Sequence, residues 1–299
     1  MKIGFLFAGQ GSQAVGMGKD IYSLDYVKDI YDRYSDLRDL SFEGPEDMLN
    51  QTKYAQPAML LTSYLFATIL KKNGIEPEYV AGLSLGEYSA LAFANAFSLD
   101  DAISIVRKRG DIMQNALPLN TSGMTAVLGL DAKIIEDTIK DIPGVCEIAN
   151  YNCPGQIVVT GDLKALDLAE PKLLEAGAKR CIRLNVSGAF HSSLLEGASK
   201  ELRLELNKHN HNTPDYKVIY NLYGSESDND LYDILEGQIK NGVRFEQTIR
   251  YMLDKGVDTF IEIGPGKALS GFVKKTNRDV KVYSAYDMES IEKIIGELR

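Results

Sequence analysis

Cysteine is scarce in this sequence, and its scarcity narrows the classes of protein that the chain can encode. The only cysteines are Cys146, Cys153 and Cys181. Their number is odd and their spacing does not match a metal-ligand pattern, which argues against a disulfide framework and against a zinc site. We therefore expect reduced, structural thiols in a cytoplasmic protein.

Long hydrophobic runs and an excess of positive charge are also missing. No segment approaches the length of a membrane span. Polar residues soon interrupt the apolar start Met1–Gly9, which we interpret as the first buried strand and not as a signal peptide. The formal net charge of -9 argues against a broad nucleic-acid-binding surface. The 299 residues can form a large globular domain, alone or carrying a smaller one.

Short apolar strands alternate with helical stretches, and this alternation predicts an α/β fold with a largely parallel sheet. After Pro118 the order becomes strand, helix, strand, strand, helix, strand, which is the ferredoxin-like βαββαβ arrangement. We therefore predict a small domain at residues 120–187, inserted into a large domain formed by residues 1–119 and 188–299. The predicted strands cover residues 2–8, 79–81, 124–130, 146–150, 156–160, 179–186, 217–221 and 259–263. The predicted helices cover residues 56–72, 87–94, 99–115, 131–141, 163–176, 193–208, 231–239 and 245–255.

The segment Gly82-Leu83-Ser84-Leu85-Gly86 has the Gly-x-Ser-x-Gly spacing of a nucleophile elbow. It lies between a predicted strand and a predicted helix, so the serine hydroxyl would project at the end of a sheet. Flanking glycines let the backbone bend sharply, and the first N–H groups of the next helix would face a developing negative charge. The pattern favours Ser84 as a catalytic nucleophile, with a plain glycine-rich turn as the alternative.

A nucleophilic serine needs a base, and the chain offers three histidines. His209 and His211 lie in a polar stretch before Pro214 and are predicted at the surface. His191 follows the predicted small domain and precedes a predicted helix start. It is the candidate base for Ser84, although an isolated histidine in such a place is more often structural.

Six short blocks of the sequence recur, in the same order and with similar spacing, in one known family. The blocks are Phe7–Gln13, Gly82–Tyr88, Arg109–Gly110, Asn152–Gln156, Ala189–Ser192 and Glu262–Lys267. On these blocks the chain resembles the malonyl-CoA:acyl carrier protein transacylase family nearly from end to end. The resemblance implies a hydrolase-like α/β core with a ferredoxin-like insertion, which agrees with the pattern of strands and helices.

The same resemblance implies the activity and its partners. The enzyme would move malonyl from malonyl-CoA to the phosphopantetheine thiol of acyl carrier protein in two steps through a seryl ester, supplying fatty acid elongation. No metal or tightly bound cofactor is implied, and a cytoplasmic monomer is expected. An acidic carrier would need a local basic patch. Candidate patches are Lys179, Arg180 and Arg183, or Lys274, Lys275 and Arg278.

Transferred residue by residue, the resemblance assigns catalytic roles. Ser84 would take the malonyl group, and His191 would act as general base and then as general acid. The backbone carbonyl of Gln238 would orient the histidine. The backbone N–H groups of Gln10 and Leu85 would form the oxyanion hole.

Two further residues would set substrate specificity. Arg109 would bind the free carboxylate of malonyl through paired hydrogen bonds, whereas a solvated helix face is the alternative for this arginine. Phe190 would crowd an α-methyl branch and disfavour methylmalonyl. The sequence departs from the family pattern at four positions, namely Leu83 in place of the usual His, Gly242 and Gly197 in place of Pro, and Phe245 in place of Trp.

Three other functions remain open from the sequence. The elbow and histidine would serve a serine hydrolase or thioesterase equally well. The segment Gly9–Ala14 after the first strand satisfies Gly-x-Gly-x-x-Ala, with Asp29 and Asp32 near the distance of a ribose contact, so a dinucleotide site is a weak alternative. A non-catalytic acyl- or CoA-binding module with the same fold is the third.

Overall fold

The computed structural model describes residues 1–186 and 188–299, which divide into two compact units. The first unit comprises Met1–Gly110, His209–Ile219 and Met252–Arg299, and the second comprises Asp111–Lys208 and Tyr220–Tyr251. The second unit therefore contains more of the chain than the predicted insertion at 120–187, whose last residue, Ser187, lies outside the described residues. The predicted domain boundaries stay a prediction.

The first unit is built on a five-stranded parallel sheet. In spatial order the strands are β7 (Lys217–Ile219), β2 (Tyr79–Gly82), β1 (Ile3–Phe7), β8 (Thr259–Ile263) and β9 (Lys281–Ala285). Every residue of the central strands β1, β2 and β8 is buried, as expected of parallel strands that are covered on both faces. This explains why the sequence of β1, Ile-Gly-Phe-Leu-Phe, is continuously apolar instead of alternating.

Helices complete the first unit. They are α1 (Asp25–Arg33), α2 (Ser35–Glu43), α3 (Glu46–Leu49), α4 (Thr52–Lys72), α5 (Leu85–Phe93), α12 (Ala268–Thr276) and α13 (Met288–Leu298), and α6 (Leu99–Asn115) begins in this unit. All nine residues of α5 are buried, and its Phe93 ring lies 5.7 Å from the rings of Phe5 and Phe7 on β1. The helix that follows the elbow is therefore held firmly against the central strand.

The second unit is built on a four-stranded antiparallel sheet. In spatial order the strands are β4 (Cys146–Cys153), β5 (Gln156–Asp162), β3 (Ser122–Leu128) and β6 (Arg180–Arg183). Its helices are α7 (Ala132–Ile139), α8 (Leu163–Glu175), α9 (Glu196–Leu206) and α10 (Leu231–Lys240), and α11 (Phe245–Asp254) begins here. Ile135 of α7 and Leu166 of α8 pack with Val127 and Val159 of the sheet to form one apolar core.

The structure confirms the mixed α/β fold with a parallel sheet and contains further elements that the sequence pattern did not predict. Helix α6 has the predicted bounds, but the predicted strand 179–186 is shorter and spans Arg180–Arg183. The predicted helix 193–208 begins as a 3-10 turn at Ser193–Leu195 and continues as α9. Among the described residues, the elements α1, α2, α3, α12, β9 and α13 were not predicted.

Candidate active site

Ser84 lies at the turn between strand β2 and helix α5, as the elbow pattern predicts. Its backbone has φ 53° and ψ -102°, a positive-φ conformation that is costly for a residue with a side chain. The turn is tied to the central strand because the N–H of Leu83 donates to the carbonyl oxygen of Phe7 at 3.1 Å. The serine is therefore presented at the carboxyl end of a parallel sheet, where ligands of open α/β folds bind.

Glycine is required on both sides of this serine by close approaches of the backbone. A Cβ atom at Gly82 would lie 2.0 Å from the carbonyl carbon of Gly86. A Cβ atom at Gly86 would lie 2.1 Å from the carbonyl oxygen of Phe7. Neither neighbour is a flexible side chain, so the sharp turn exists only because both positions lack a Cβ.

The predicted oxyanion-hole residues are Leu85, which is part of the elbow, and Gln10, which lies in a loop next to it. Leu85 is the first residue of α5, and the first N–H groups of a helix point away from the helix without an intrahelical acceptor. Gly9 lies against the elbow so closely that a Cβ atom there would be 2.6 Å from the carbonyl oxygen of Leu83. Gln10 follows directly, and its Nε2 donates to Oγ1 of Thr52 at 3.1 Å, which anchors the loop.

Arg109 is completely buried and hydrogen-bonded to the predicted nucleophile. Its Nη2 donates to Oγ of Ser84 at 3.1 Å, and its Nη1 donates to Oε1 of Gln56 at 2.8 Å. The guanidinium carbon lies 4.9 Å from the centroid of the Tyr88 ring, within range of a cation–π interaction. The alternative of a solvated helix face is therefore wrong for Arg109, whereas its neighbour Arg107 is partly exposed and ion-paired with Asp36.

The surroundings of Arg109 change the pKa of its guanidinium. Burial lowers the pKa of the guanidinium because it removes water from the charged form, while Tyr88 and Glu87 act in the opposite direction. Burial also raises the pKa of Tyr88 to about 12. A guanidinium that is shielded from water can bind a carboxylate strongly, because charges attract each other more in the protein interior than in water.

His191 and Gln238 form a pair within the second unit. Nδ1 of His191 lies 2.9 Å from the backbone carbonyl oxygen of Gln238. Because a carbonyl oxygen can only accept, Nδ1 carries the proton, which leaves Nε2 of a neutral ring as an acceptor. His191 is 3 % exposed, so packing and the contact with Gln238 restrain its ring, and its backbone has a positive φ of 56°.

Gln238 supplies its carbonyl from the last turn of α10 (Leu231–Lys240). Carbonyl groups in the last turn of a helix lack an intrahelical donor, and the helix end carries a partial negative charge. This end can therefore take the place of the aspartate that orients the histidine in many serine enzymes. Phe190, which precedes the histidine, is buried, and its N–H donates to the carbonyl oxygen of Gly188 at 3.1 Å.

The predicted site residues fall into two groups. Gln10, Ser84, Leu85 and Arg109 lie in the first unit, and the second unit contains the other three, Phe190, His191 and Gln238. The structure brings Ser84 and Arg109 together in one unit and His191 and Gln238 together in the other. The pairing of Ser84 with His191 joins residues of different units and stays a prediction.

One further residue of the first group, Gln56, is not among the residues predicted from the sequence. Gln56 lies in α4, is 1 % exposed and accepts a hydrogen bond from Arg109. A polar side chain inside a helix that is otherwise mostly apolar was the available signal, because a buried amide needs hydrogen-bonding partners.

The remaining candidates are placed as follows. His209 is not simply a surface residue, because its side chain is 11 % exposed and its Nδ1 lies 2.7 Å from Oδ1 of Asp101, whereas His211 is exposed as predicted. Among residues 1–186 and 188–299, no group of three or more His, Cys, Asp or Glu side chains could hold a metal ion. Within the same ranges, no helix is long and apolar enough to cross a membrane.

Comparison with known proteins identifies the class of enzyme to which the chain belongs. The model of a family described as "Acyl transferase domain" matches residues 4–299, almost the whole chain. Malonyl CoA-acyl carrier protein transacylase of Bacillus subtilis (strain 168) is 43% identical over 309 residues, covering 100% of this chain and 98% of the relative. The chain belongs to the malonyl CoA-acyl carrier protein transacylase family of acyl transferases.

Solved structures agree with this assignment. The crystal structure of malonyl CoA-acyl carrier protein transacylase from Clostridium perfringens ATCC 13124 superposes with a TM-score of 0.97 at 43% identity, covering 100% of this chain and 98% of that chain. A type II PKS acyl-carrier protein in complex with its malonyl-transacylase matches with a TM-score of 0.94 at 31% identity, covering 99% of this chain and 100% of that chain.

Proposed function

We propose that this protein transfers a malonyl group from malonyl-CoA to the phosphopantetheine thiol of acyl carrier protein, and so supplies fatty acid elongation. The full-length similarity to transacylases of that name supports the reaction and both partners. The observation that carries the proposal is the hydrogen bond of 3.1 Å from buried Arg109 to Oγ of Ser84. This contact supports the proposal because a buried cation that could bind a carboxylate lies next to a serine with a positive φ.

Arg109 explains why malonyl would be chosen over acetyl. The two acyl groups differ by one free carboxylate, which a planar guanidinium can bind through two parallel hydrogen bonds. Burial removes water from the guanidinium, so a malonyl carboxylate that binds there forms a buried ion pair with it. The carboxylate is thereby held at one end while the thioester carbonyl lies at Ser84.

The chemical steps follow from the two groups of residues. Nε2 of His191 accepts the proton of the Ser84 hydroxyl while Oγ attacks the thioester carbonyl carbon. The N–H groups of Gln10 and Leu85 stabilise the oxyanion that forms. The carbon–sulfur bond then breaks, His191 returns its proton to the departing CoA thiolate, and a seryl ester remains.

The second half of the reaction reverses these roles. His191 takes the proton of the carrier thiol, the thiolate attacks the ester carbonyl, and the proton goes back to Oγ of Ser84. The carbonyl of Gln238 keeps Nδ1 protonated through both halves, which supports the neutral tautomer that the base needs. Phe190 limits space for an α-methyl branch and so favours malonyl over methylmalonyl.

The carrier protein is expected to dock on basic groups. Arg183 already pairs with Asp167 at 2.9 Å and Glu170 at 2.8 Å, which weakens the case for the first candidate patch. Lys274, Lys275 and Arg278 are exposed, as are Lys179 and Arg180, so the second patch is proposed only because the first includes the ion-paired Arg183. An acidic partner would be attracted there in spite of the negative total charge.

The proposal also includes the type of each domain, the cellular location and the oligomeric state. The strand order β4-β5-β3-β6, with α7 and α8 against the sheet, supports a ferredoxin-like small domain at 120–187. The elbow after a central strand supports a hydrolase-like large domain at 1–119 and 188–299. A cytoplasmic monomer without metal or tightly bound cofactor completes the proposal.

Intact-protein mass spectrometry after brief incubation with malonyl-CoA tests the function. We expect one malonyl adduct on the parent protein, none on the Ser84→Ala variant, and discharge of the adduct to a carrier protein. A much smaller adduct population is expected with acetyl-CoA. Steady release of CoA into water without an adduct would instead indicate a serine hydrolase or thioesterase.

A further inference from the structure

Strand β4 stands at the end of the antiparallel sheet, and its outer edge is used by another segment of the same unit. The N–H of Val243 donates to the carbonyl oxygen of Ala149 at 2.8 Å, and the N–H of Tyr151 donates to the carbonyl oxygen of Val243 at 2.9 Å. Asn150 and Val243 thus form an isolated parallel bridge. The edge of the sheet holds the chain just after it leaves helix α10.

Gly242 allows this bridge to form. A Cβ atom at Gly242 would lie 2.5 Å from the carbonyl oxygen of Ile148, a backbone atom of β4 that cannot move aside alone. Helix α10 ends at Lys240, so the bridge at Val243 fixes the helix end from which the Gln238 carbonyl projects. The acceptor of the His191 ring is therefore anchored to β4 through two backbone hydrogen bonds.

The same strand also holds the segment that carries the histidine. Oε2 of Glu147 on β4 accepts from the N–H of Ser193 at 2.8 Å, and Oε1 accepts from the Ser193 hydroxyl at 2.6 Å. Ser193 is two residues after His191. On the other side of the histidine, the N–H of Ala189 donates to Oγ of Ser122 at 3.2 Å.

We propose that the edge of β4 positions the His191–Gln238 pair, with Glu147 acting on the histidine and Gly242 on the carbonyl. The inference rests on the proposed function, in which His191 is the base. The backbone of His191 has a positive φ of 56°, a conformation that a residue with a side chain keeps only when its surroundings restrain the loop on both sides. One strand restrains donor and acceptor together, which keeps the 2.9 Å contact between them constant.

The carboxylate of Glu147 suits this role better than a neutral group would. Two hydrogen bonds to one ionised carboxylate are shorter and stronger than neutral ones, and they fix both the backbone and the side chain of Ser193. A loosened loop would leave CoA binding unchanged and reduce the fraction of time that the base is in place. Misplacing a reacting group by about 1 Å can reduce a rate on the order of 100-fold.

Four variants and one control test the positioning role. Glu147→Ala and Gly242→Ala should each lower kcat for acylation of Ser84 by about tenfold or more, with KM for malonyl-CoA within about twofold of the parent. Glu147→Gln should recover most of the rate, because it keeps one acceptor oxygen. Ser193→Ala, at an exposed residue, should show a smaller loss. Tyr151→Phe is the control, since it removes a 2.9 Å hydrogen bond from β4 to Glu136 that reaches neither segment.

A second measurement does not depend on acyl transfer. The chain has three histidines, so labelling histidine with nitrogen-15 gives a simple NMR spectrum in which His191→Ala identifies the His191 signals. The Nδ1 proton of His191 should exchange slowly with water in the parent and in Tyr151→Phe. Its exchange should be faster by about tenfold in Glu147→Ala and in Gly242→Ala, as loss of a closed hydrogen bond requires.

The outcomes separate this inference from the proposed function. If the parent forms no malonyl adduct, or His191→Ala forms it at the parent's rate, the proposed function fails whatever the exchange rates are. Suppose instead that the parent forms the adduct and His191→Ala does not. The positioning role is then overturned if Glu147→Ala, Ser193→Ala and Gly242→Ala have the same kcat and the same rate of proton exchange as Tyr151→Phe. Should Gly242→Ala fail to fold, Glu147→Ala and Ser193→Ala decide the question by the same two measurements.

Discussion

The guanidinium of Arg109 donates a hydrogen bond of 3.1 Å to Oγ of Ser84, so the group proposed to bind the substrate carboxylate also contacts the proposed nucleophile. Without substrate, this contact occupies a lone pair of the hydroxyl. In the proposed mechanism, a malonyl carboxylate that binds the guanidinium would release the hydroxyl for attack. The proposal therefore couples substrate recognition and activation of the serine through one side chain.

Arg109→Ala should remove the preference for malonyl-CoA. We expect kcat/KM for malonyl-CoA to fall on the order of 100-fold or more, because a buried charge-assisted pair is lost, while acetyl transfer is unchanged or improved. Competition between malonyl-CoA and acetyl-CoA, followed by mass spectrometry of the acyl-enzyme, measures the ratio. Arg107→Ala, two residues earlier on the same helix and ion-paired with Asp36 at 2.6 Å, is the matched control. Unchanged selectivity in Arg109→Ala would contradict the assigned role.

Gln56→Glu should weaken malonyl binding without disturbing the elbow. Oε1 of Gln56 lies 2.8 Å from Nη1 of Arg109, so a carboxylate at that position would pair with the guanidinium and compete with the substrate. We expect KM for malonyl-CoA to rise about tenfold, the size of effect of one charge-assisted hydrogen bond. Initial-rate measurements over a range of malonyl-CoA concentrations give KM. Gln56→Met, similar in size and neutral, should raise KM less, and equal effects of the two variants would exclude competition by charge.

Some residues of this site could be predicted from the sequence because a local pattern marks them, and others could not. Gly82, Ser84 and Gly86 lie close together in the sequence, and their spacing was sufficient to predict the turn. The burial of Arg109 was harder to see because basic residues precede it. The helical period nevertheless places it on the same face as Ile105 and Ile112, which are both buried.

The positions of other features depend on contacts that no local pattern encodes. Helices α1, α2 and α3 were missed because they follow Leu24, Tyr34 and Pro45, which are not favoured capping residues. Helix α13 did carry a signal, because Asp287 forms a capping box with Ser290. The bridge between β4 and Val243 joins distant parts of the sequence and could be found only in the structure.

Gly86→Ala should destabilise the elbow instead of merely slowing the reaction. The new methyl group would lie 2.1 Å from the carbonyl oxygen of Phe7, so either β1 or the turn must move. We expect a lower melting temperature and loss of the acyl-enzyme together. Gly296→Ala is the control, because a Cβ atom there meets no described atom within 4 Å, and alanine in a helix should stabilise by about 0.5–1 kcal/mol. If Gly86→Ala melted like the parent, the close approach at the elbow would be in doubt.

Asp101 should make stability depend on pH through its contacts with Ser98 and His209. The Ser98 hydroxyl donates to Oδ2 of Asp101 at 2.6 Å, and Nδ1 of His209 lies 2.7 Å from Oδ1. The Ser98 hydrogen bond, followed by that of His209, lowers the pKa of the Asp101 carboxyl below its usual value. The folded state therefore binds fewer protons than the unfolded state, and stability rises with pH through this interval.

The direction of this pH dependence can be tested by replacing Asp101. The contribution of Asp101 is present above the unfolded-state pKa of about 4 and is lost as pH falls through the lower folded-state pKa. Asp101→Asn should lower the free energy of unfolding at about pH 7, and the difference from the parent should shrink toward pH 3, measured by urea unfolding. Asp141→Asn, at an exposed aspartate of the second unit, should follow the parent curve at both pH values. A difference between Asp101→Asn and the parent that is the same at both pH values would show that the ionised carboxylate is not the source, because only an ionised group can lose its contribution on protonation.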